Sequence, residues 1–544
     1  HGQVGQALIE LSGDQLSQNS ARIAAHLEQA NKQIGARPYL EMAGDFAASQ
    51  IAYAEALEKY GRSLSYWLED ALADRLRLHF KREDILSRQI ALEAWAQELA
   101  TIKELAHDML ATEPTQVRPQ IEYAIRQTYY DKAIDQPSVT LLEEALETAV
   151  QHQQSDLEAE IHFTIGLAYH ATGKLALAEK ALGRAITQAE ANGNQDLVGR
   201  AHEWLGPCLA FQGAPIARIR HSLLKAYEYG KHIGDRRLEA GSLEKLAYLF
   251  ILQGEGDPKQ TEAYFANALH IINELGIVQE RVIWGAHFGW FYVLTGNYDK
   301  AIHYLTEAEE KATQSQLAHF FEERQRIFAF LFMNSGDYDQ ANKYVDHVLG
   351  AQSASPSQAK KGWIAGTKGH IKYLHGDFVE SLTYLDEAIF IAKNLNDTRL
   401  LAWNLKRRGM VLIALERYAE AEKCLLEAIE RQQSLGQSNR ALMGVAGLAD
   451  LALAQEDFET ACQHTEKILA HLENEQLDAT NESLAVYMSA YHVLNKMGDE
   501  RAEAMLFKAW DQVVGRANSI SDAVLKQTFW AAPPHAELRK IMKP

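Results

Sequence analysis

Residues 282–312 read VIWGAHFGWFYVLTGNYDKAIHYLTEAEEKA, and this stretch decides the fold. It predicts two amphipathic helices joined by a tight turn at 295–297. Gly296 can adopt the positive φ that ends a helix, and Asn297 or Asp299 can cap the next one. The second helix carries a stripe of small and apolar residues at spacings of four and three, formed by Ala301, Leu305 and Ala308.

The same turn recurs along the chain at a nearly constant interval. Successive turn positions are separated by 40, 41, 42, 40, 40, 40, 40 and 42 residues. They fall at Gly173, Gly213, Gly254, Gly296, Gly336, Gly376, Glu416, Glu456 and Gly498. A fixed period over so long a segment indicates a repeat solenoid, in which each helix pair buries its apolar face against its neighbours.

The residues around each turn resemble a known repeat. The fullest matches are Gly289/Tyr292/Gly296/Tyr298/Ala301/Leu305/Ala308 and Gly166/Tyr169/Gly173/Ala178/Leu182/Ala185. A small residue, a turn glycine and a small-large-small stripe in this order resemble the tetratricopeptide repeat (TPR). The resemblance implies an all-α, right-handed superhelical solenoid of antiparallel helix pairs with a period of about 40 residues. That period exceeds the usual 34 and is similar to the long-helix TPR variants of bacterial sensor regulators.

Composition excludes several classes of protein. The formal net charge is -19, which disfavours general binding to nucleic acid or to anionic membranes. Only 11 prolines and a hydrophobic content of 47% favour a folded, helix-rich chain. The three cysteines are widely spaced and no apolar run is long enough to span a bilayer, so we expect a cytoplasmic protein without a membrane segment.

The first 60 residues carry a second resemblance. They are similar to the segment that joins the ATPase module to the TPR array in bacterial STAND-type signalling ATPases and transcriptional regulators, including regulators of the maltose-operon activator type. The matching residues are His1, Val4-Gly5, Ala7-Leu8, Asp14, Leu16, Ala24, His26, Glu28, Ala30, Ala43-Gly44-Asp45, Ala52-Tyr53 and Ala56-Leu57. This resemblance implies a P-loop ATPase module upstream, but no G-x-x-x-x-G-K-[ST] motif occurs in this sequence.

The sequence divides into four parts. Residues 1–60 form the linker-like helical segment, 61–156 irregular helix pairs, 157–515 the regular TPR-like array and 516–544 a C-terminal cap that covers the last apolar face. Within the irregular part, the charged stretch 81–84 predicts a link between helices at 64–80 and 85–110.

We find no motif with the chemistry of a catalytic or metal site. His202-Glu203 lacks the second histidine of H-E-x-x-H, and Cys462-x-His464 lacks a companion pair of ligands. The carboxylate pairs at helical spacing face away from the apolar stripes, where water solvates them. The sequence therefore predicts a non-enzymatic protein with no cofactor and no metal.

The first helix of each repeat lines the concave groove in proteins that this array resembles. Positions 13, 10, 9, 6, 3 and 2 before each turn residue should then face inward. At these positions we expect a groove for a peptide, a small-molecule effector or a partner protein, because aromatic rings and cations grip such ligands. The groove residues are Trp204, Phe211, Tyr248, His287, Trp290, Arg326, Phe330, Trp363, His370, Tyr373, Trp403 and Arg407. The alternative interpretation is that these rings fill the space between neighbouring helices.

Two functions fit this organisation. The first is a ligand-sensing or protein-interaction TPR domain within a larger STAND-type regulator. The second is a free-standing TPR scaffold that binds a peptide or partner protein in its groove. A P-loop encoded upstream in the gene would exclude the second, and the acidic balance disfavours binding of nucleic acid by this chain in either case.

Overall fold

The computed structural model describes residues 1–50, 52–89, 91–133, 139–254, 256–315, 321–350, 358–473, 477 and 483–542. Within these residues all regular secondary structure is helical, as expected for an all-α solenoid. The chain divides into two compact units, His1–Cys208 and Leu209–Pro544.

The described residues of the first unit form ten complete helices and most of the eleventh, whose last residues belong to the second unit. They are α1 Gly2–Ser12, α2 Leu16–Gln29, α3 Gln33–Ser49, α4 Tyr53–Ser65, α5 Leu72–Gln89, α6 Leu92–Thr112, α7 Arg118–Ala133, α8 Thr140–Gln151, α9 Ser155–Ala171, α10 Leu175–Ala191 and α11 Gln195–Phe211. A short 3-10 turn, Gly13–Gln15, separates the first two.

The second unit continues with helix pairs of similar length. These are α12 Ile216–Ile233, α13 Arg236–Gln253, α14 Pro258–Leu275, α15 Val278–Thr295, α16 Tyr298–Gln314, α17 Phe321–Asn334, α18 Tyr338–Gly350, α19 Gln358–His375, α20 Phe378–Leu395, α21 Thr398–Ala414, α22 Tyr418–Ser434, α23 Ser438–Ala454, α24 Phe458–Leu472, α25 Ser483–Met497, α26 Arg501–Asn518, α27 Ala523–Ala531 and α28 Pro533–Met542. Odd-numbered helices from α13 to α25 are the first helices of their repeats.

The pair α15 and α16 shows why this sequence forms a helical hairpin. Gly296 ends α15 in the left-handed conformation, with φ 77°, and the Asn297 side chain accepts a hydrogen bond from the Lys300 amide. A Cβ at Gly289 would lie 2.7 Å from Leu305 Cγ, so this position must be small for the two helices to approach. The stripe predicted for α16 is buried, with its three residues at most 2% exposed.

All nine predicted turn positions have positive φ. The seven glycines range from φ 69° to 87°, while Glu416 and Glu456 adopt 58° and 59°. The repeat inferred from the sequence is therefore confirmed turn by turn. The two glutamates occupy a conformation that costs an L-residue about 1–2 kcal/mol relative to the right-handed one.

The charged stretch 81–84 is not a link between helices, so that prediction is wrong. Helix α5 runs through it, because its charges have partners on other helices. Lys81 Nζ lies 2.7 Å from Asp45 Oδ1, and Arg82 Nε lies 2.9 Å from Glu98 Oε1. Trp95 Nε1 donates to Glu83 at 2.7 Å. A run of charged residues indicates a loop only when water solvates the charges. Here side chains of neighbouring helices pair with them instead.

Within the second unit, hydrogen bonds join segments that are far apart in the sequence. We call this set of hydrogen bonds the seam. At the end of α13, the Leu252 carbonyl oxygen accepts from Gln437 Nε2 at 2.8 Å, and the Gly254 carbonyl accepts from Asn439 Nδ2 at 2.9 Å. At the next turn, Ser519 Oγ donates to the Gly296 carbonyl at 2.7 Å. The partners are 185 to 223 residues apart in sequence, so the seam joins successive layers of the superhelix.

Candidate functional site

The first helices of the second unit direct a common face toward the inside of the coil. Phe330 of α17 and Trp403 of α21 have ring centroids 5.9 Å apart, although the whole α19–α20 repeat separates their helices. Side chains from non-adjacent repeats can meet in this way only across a shared interior. We call this surface the inner face and define it by the first-helix positions 13, 10, 9, 6, 3 and 2 before each turn residue.

A chain of ring contacts runs along the inner face over five successive repeats. Its members are drawn from α13, α15, α17, α19 and α21, and several keep part of their surface open. The ring centroids are 4.4 Å apart for Tyr248–His287, 6.3 Å for Tyr248–Trp290, 6.3 Å for Trp290–Phe330 and 5.4 Å for Trp363–Trp403. Of the twelve predicted groove residues, the structure brings these six, together with Arg326, into one cluster, which we call the inner cluster.

Arg326 lies at the centre of the inner cluster. Its guanidinium carbon is 4.5 Å from the ring centroid of Trp290 and 5.5 Å from that of Trp363, which is cation–π geometry. Its Nε lies 3.3 Å from a carboxylate oxygen of Glu323, one helical turn earlier, and a second guanidinium nitrogen pairs with the other oxygen. Burial alone would raise the pKa of Glu323, but the charge and hydrogen bonds of Arg326 lower it. This pair is therefore ionised and internally neutral.

A second polar pair lies beside the ring of Tyr248. His287 Nδ1 is 2.7 Å from Glu244 Oε1, and Glu244 is almost completely buried. Burial and the charge of Glu323 raise the pKa of Tyr248. Its hydroxyl therefore stays neutral and can donate a hydrogen bond at physiological pH.

Further along the coil, the inner face becomes more basic. Arg407 is only 2% exposed, stacks 3.4 Å above the Trp403 ring and donates to the Trp403 carbonyl at 3.2 Å. It is therefore packed against the ring rather than open to the groove. The ring of His370 is 6.3 Å from Trp403 and 6.4 Å from Tyr373. Burial and the charges of Arg407 and Lys406 lower the pKa of His370, so this imidazole is neutral.

A carboxyl group on α23 also makes a polar contact. Asp450 accepts a hydrogen bond from Ser489 Oγ of α25 at 2.7 Å. Burial raises the pKa of Asp450 to about 7, although the Ser489 hydroxyl opposes that shift. Burial and the nearby Asp450 raise the pKa of Tyr373 to about 12.

Two further predicted groove residues each have a cation over their ring. Trp204 belongs to the first unit, where its ring is 5.5 Å from His170 and 4.5 Å from Lys132 Nζ. Phe211 lies at the start of the second unit, with the guanidinium carbon of Arg399 4.1 Å above its ring.

Sequence reasoning missed the two carboxylates of the inner face. Glu244 lies 10 residues before its turn glycine and Glu323 lies 13 before its own, so both occupy positions that the repeat directs inward. The sequence prediction of a groove covers only the rings and cations at those positions. Asp450 occupies the position 6 before its turn residue, in line with Tyr248 and Trp290.

The described residues contain no group of three or more histidine, cysteine, aspartate or glutamate side chains placed to hold a metal ion. No helix in that part of the chain is long and apolar enough to cross a membrane.

The fold and the inner face define the class of the protein, a TPR-type helical solenoid. The tetratricopeptide repeat family model matches residues 159–192 and 407–435. No curated protein sequence matches the chain significantly.

Solved structures are similar to this chain over most of its length. The APC/C hetero-tetramer Cut9–Hcn1 has a TM-score of 0.47 and 11% identity, over 89% of this chain and 92% of that one. Yeast Tom70 has a TM-score of 0.36 and 14% identity, over 93% and 99%. The apo form of the quorum sensor NprR from B. thuringiensis has a TM-score of 0.41 and 16% identity, over 67% and 99%.

Proposed function

We propose that the chain is a binding domain that takes an extended peptide segment on the inner face of its second unit. The observation that carries the proposal is the inner cluster itself. Partly open rings and two polar pairs lie on successive repeats of the inner face, so an extended segment lying along this face would contact several of them in turn. Rings supply contact area at low entropic cost, and the polar pairs supply specific hydrogen bonds.

The inner cluster is more polar than packing alone requires. A face that only filled the space between helices would be apolar, since burying charge costs free energy even in a good pair. Here Glu244, Glu323 and Arg326 lie among the rings. Charged pairs held by rigid helices favour specific recognition, because each residue is fixed by its own hairpin.

A phage-displayed random dodecapeptide library, panned on the purified chain, tests this function. Enriched peptides are synthesised and titrated by fluorescence anisotropy against the wild type and Trp290→Phe. We expect at least tenfold weaker binding by Trp290→Phe, because the indole stacks on Arg326 and reaches Tyr248. Trp510→Phe is the matched control, since Trp510 contacts Trp530 in the C-terminal helices instead.

Equal affinities for the wild type and Trp290→Phe would place the binding surface elsewhere. If the library yields no peptide, a thermal-shift screen with a pool of small metabolites tests the second ligand class, because a ligand that binds the folded state raises its melting temperature. Failure of both screens would leave the inner cluster as packing.

We further propose that this binding domain belongs to a STAND-type regulator in the cytoplasm. The support is the resemblance of residues 1–60 to the segment that follows the ATPase module in that family. A ligand would then act by preferring one arrangement of the coil over another. Sequencing the gene upstream of His1 tests it: a P-loop motif is expected, and its absence would favour the free-standing scaffold.

A further inference from the structure

The three carboxylates of the inner face, Glu244, Glu323 and Asp450, differ in their hydrogen-bond and ion-pair partners. Glu244 lies 2.7 Å from the imidazole of His287, and Glu323 is paired with the guanidinium of Arg326. Each therefore has a basic partner from the same face. Asp450 has a neutral hydroxyl instead, that of Ser489 at 2.7 Å.

Among the described residues, no charged group of the surrounding elements lowers the pKa of Asp450. Helix α25 contributes the Ser489 hydroxyl and α19 contributes the phenol of Tyr373, which is neutral at physiological pH. Among the described residues, no cation of α21, α22 or α24 acts on this carboxyl group. A carboxylate at an inward position with only neutral neighbours is a costly feature in a folded protein.

We infer that Asp450 is the recognition point for an organic cation, an ammonium or guanidinium group, carried by the ligand of the inner face. The inference rests on the proposed function and names the chemistry of one part of that ligand. A basic side chain of a peptide, or its terminal amine, would complete at Asp450 the pairing that His287 and Arg326 supply to the other two carboxylates.

A metal ion is a poorer occupant of this position. Calcium and magnesium take six or more oxygen ligands, usually with more than one carboxylate among them. Asp450 is a single carboxyl group, and the described residues offer no cluster of three metal-binding side chains. One carboxylate and one hydroxyl suit an ammonium group, which needs two or three acceptors. The phenol of Tyr373 adds a ring for cation–π contact.

Binding of the cation is coupled to loss of a proton. Burial raises the pKa of Asp450 to about 7, so the carboxyl group of the free protein takes up a proton as the pH falls through neutrality. The cation binds the ionised form, so the protonated carboxyl releases its proton to solvent as the ion pair forms. Affinity should therefore fall about tenfold for each pH unit well below 7 and level off above it.

The dodecapeptide library tests this assignment when panned at pH 8 on the wild type, Asp450→Asn and the control Asp386→Asn. Asp386 is a fair control because its carboxylate pairs with Arg408 on the outer surface. We expect a lysine or arginine at a fixed position among wild-type and Asp386→Asn binders, and loss of that preference with Asp450→Asn. Replacing the lysine by norleucine in a synthetic binder should weaken binding to the wild type at least tenfold and leave Asp450→Asn unaffected.

Ser489→Ala supplies a second readout that does not depend on the folding of Asp450→Asn. The hydroxyl favours the charged carboxylate, so its removal should move the midpoint of the affinity–pH profile upward. An unchanged midpoint would overturn the assignment. Binders without a basic residue would also overturn it while leaving the proposed function intact. A library that yields no binder at all overturns this assignment and the peptide ligand together, and the small-metabolite screen then tests whether the inner face binds another class of ligand.

Discussion

Gln437 donates a hydrogen bond to the carbonyl oxygen of Leu252, 2.8 Å away and 185 residues earlier in the sequence. Both groups are buried, and the carbonyl lies at the end of α13, where the helix has no further amide to offer it. This side chain therefore joins two layers of the superhelix by satisfying a helix terminus.

Gln437→Ala should lower the free energy of unfolding by about 1–2 kcal/mol, because it leaves a buried carbonyl without its partner. Amide exchange at the end of α13 should also accelerate, since the seam no longer holds that turn. Urea unfolding and hydrogen exchange measure the two effects. Gln433→Ala is the control, because Gln433 is exposed in the same segment. Equal losses in both variants would mean that the seam adds no stability.

The repeat and its inward positions could be predicted from the sequence, because both follow from local spacing. The buried stripe of α16, for example, follows from helical periodicity and a turn glycine alone. Three of the predicted groove residues, Tyr248, Trp290 and Phe330, occupy equivalent positions and lie side by side, while their role as a groove stays a prediction.

The seam and the polar pairs could not be predicted in the same way. Contacts such as Gln437 with Leu252 depend on the pitch of the coil, which is the sum of many small rotations between repeats. Pairing of Glu323 with Arg326 is local, but its place among the rings again depends on the closeness of non-adjacent repeats. The helix through residues 81–84 was missed for a related reason, because Asp45 and Glu98 are distant in sequence.

Glu416→Gly should stabilise the protein. Glu416 is exposed and has φ 58°, a conformation that costs a residue with a side chain about 1–2 kcal/mol. Glycine removes that cost but gains freedom in the unfolded chain, so we expect a net gain of about 0.5–1 kcal/mol. Thermal or urea unfolding measures it. Glu416→Ala removes the charge but keeps Cβ, and a gain equal to that of glycine would contradict the conformational explanation.

The ion pair inside the inner cluster should show strong coupling. Arg326→Met leaves the charge of Glu323 among the rings, so we expect a loss of about 2 kcal/mol in stability. Glu323→Gln combined with Arg326→Met should cost less than Arg326→Met alone, because no uncompensated charge remains. A double-mutant cycle in urea should give a coupling energy of about 1–2 kcal/mol. Additive single and double changes would show that the two groups do not interact in solution.

His535 should give the protein a distinctive loss of stability in acid. It is 7% exposed, donates from Nδ1 to the Phe529 carbonyl at 2.7 Å and stacks on the Phe529 ring. Burial lowers its pKa from 6.5 to about 4, against the opposing effect of that hydrogen bond. Between these values the unfolded chain holds a proton that the folded chain does not. The contribution of this group is therefore complete above pH 6.5 and is lost as the pH falls toward 4.

His535→Asn should remove that pH dependence, since an asparagine amide can still donate to the Phe529 carbonyl but does not titrate. The difference in unfolding free energy between wild type and variant should change by about 2–3 kcal/mol between pH 7 and pH 4, at about 1.4 kcal/mol per pH unit. Chemical unfolding at each pH measures it. His270→Asn, at an exposed position, should run parallel to the wild type. A His535→Asn curve that is also parallel would mean that the buried imidazole is protonated as readily as in the unfolded chain.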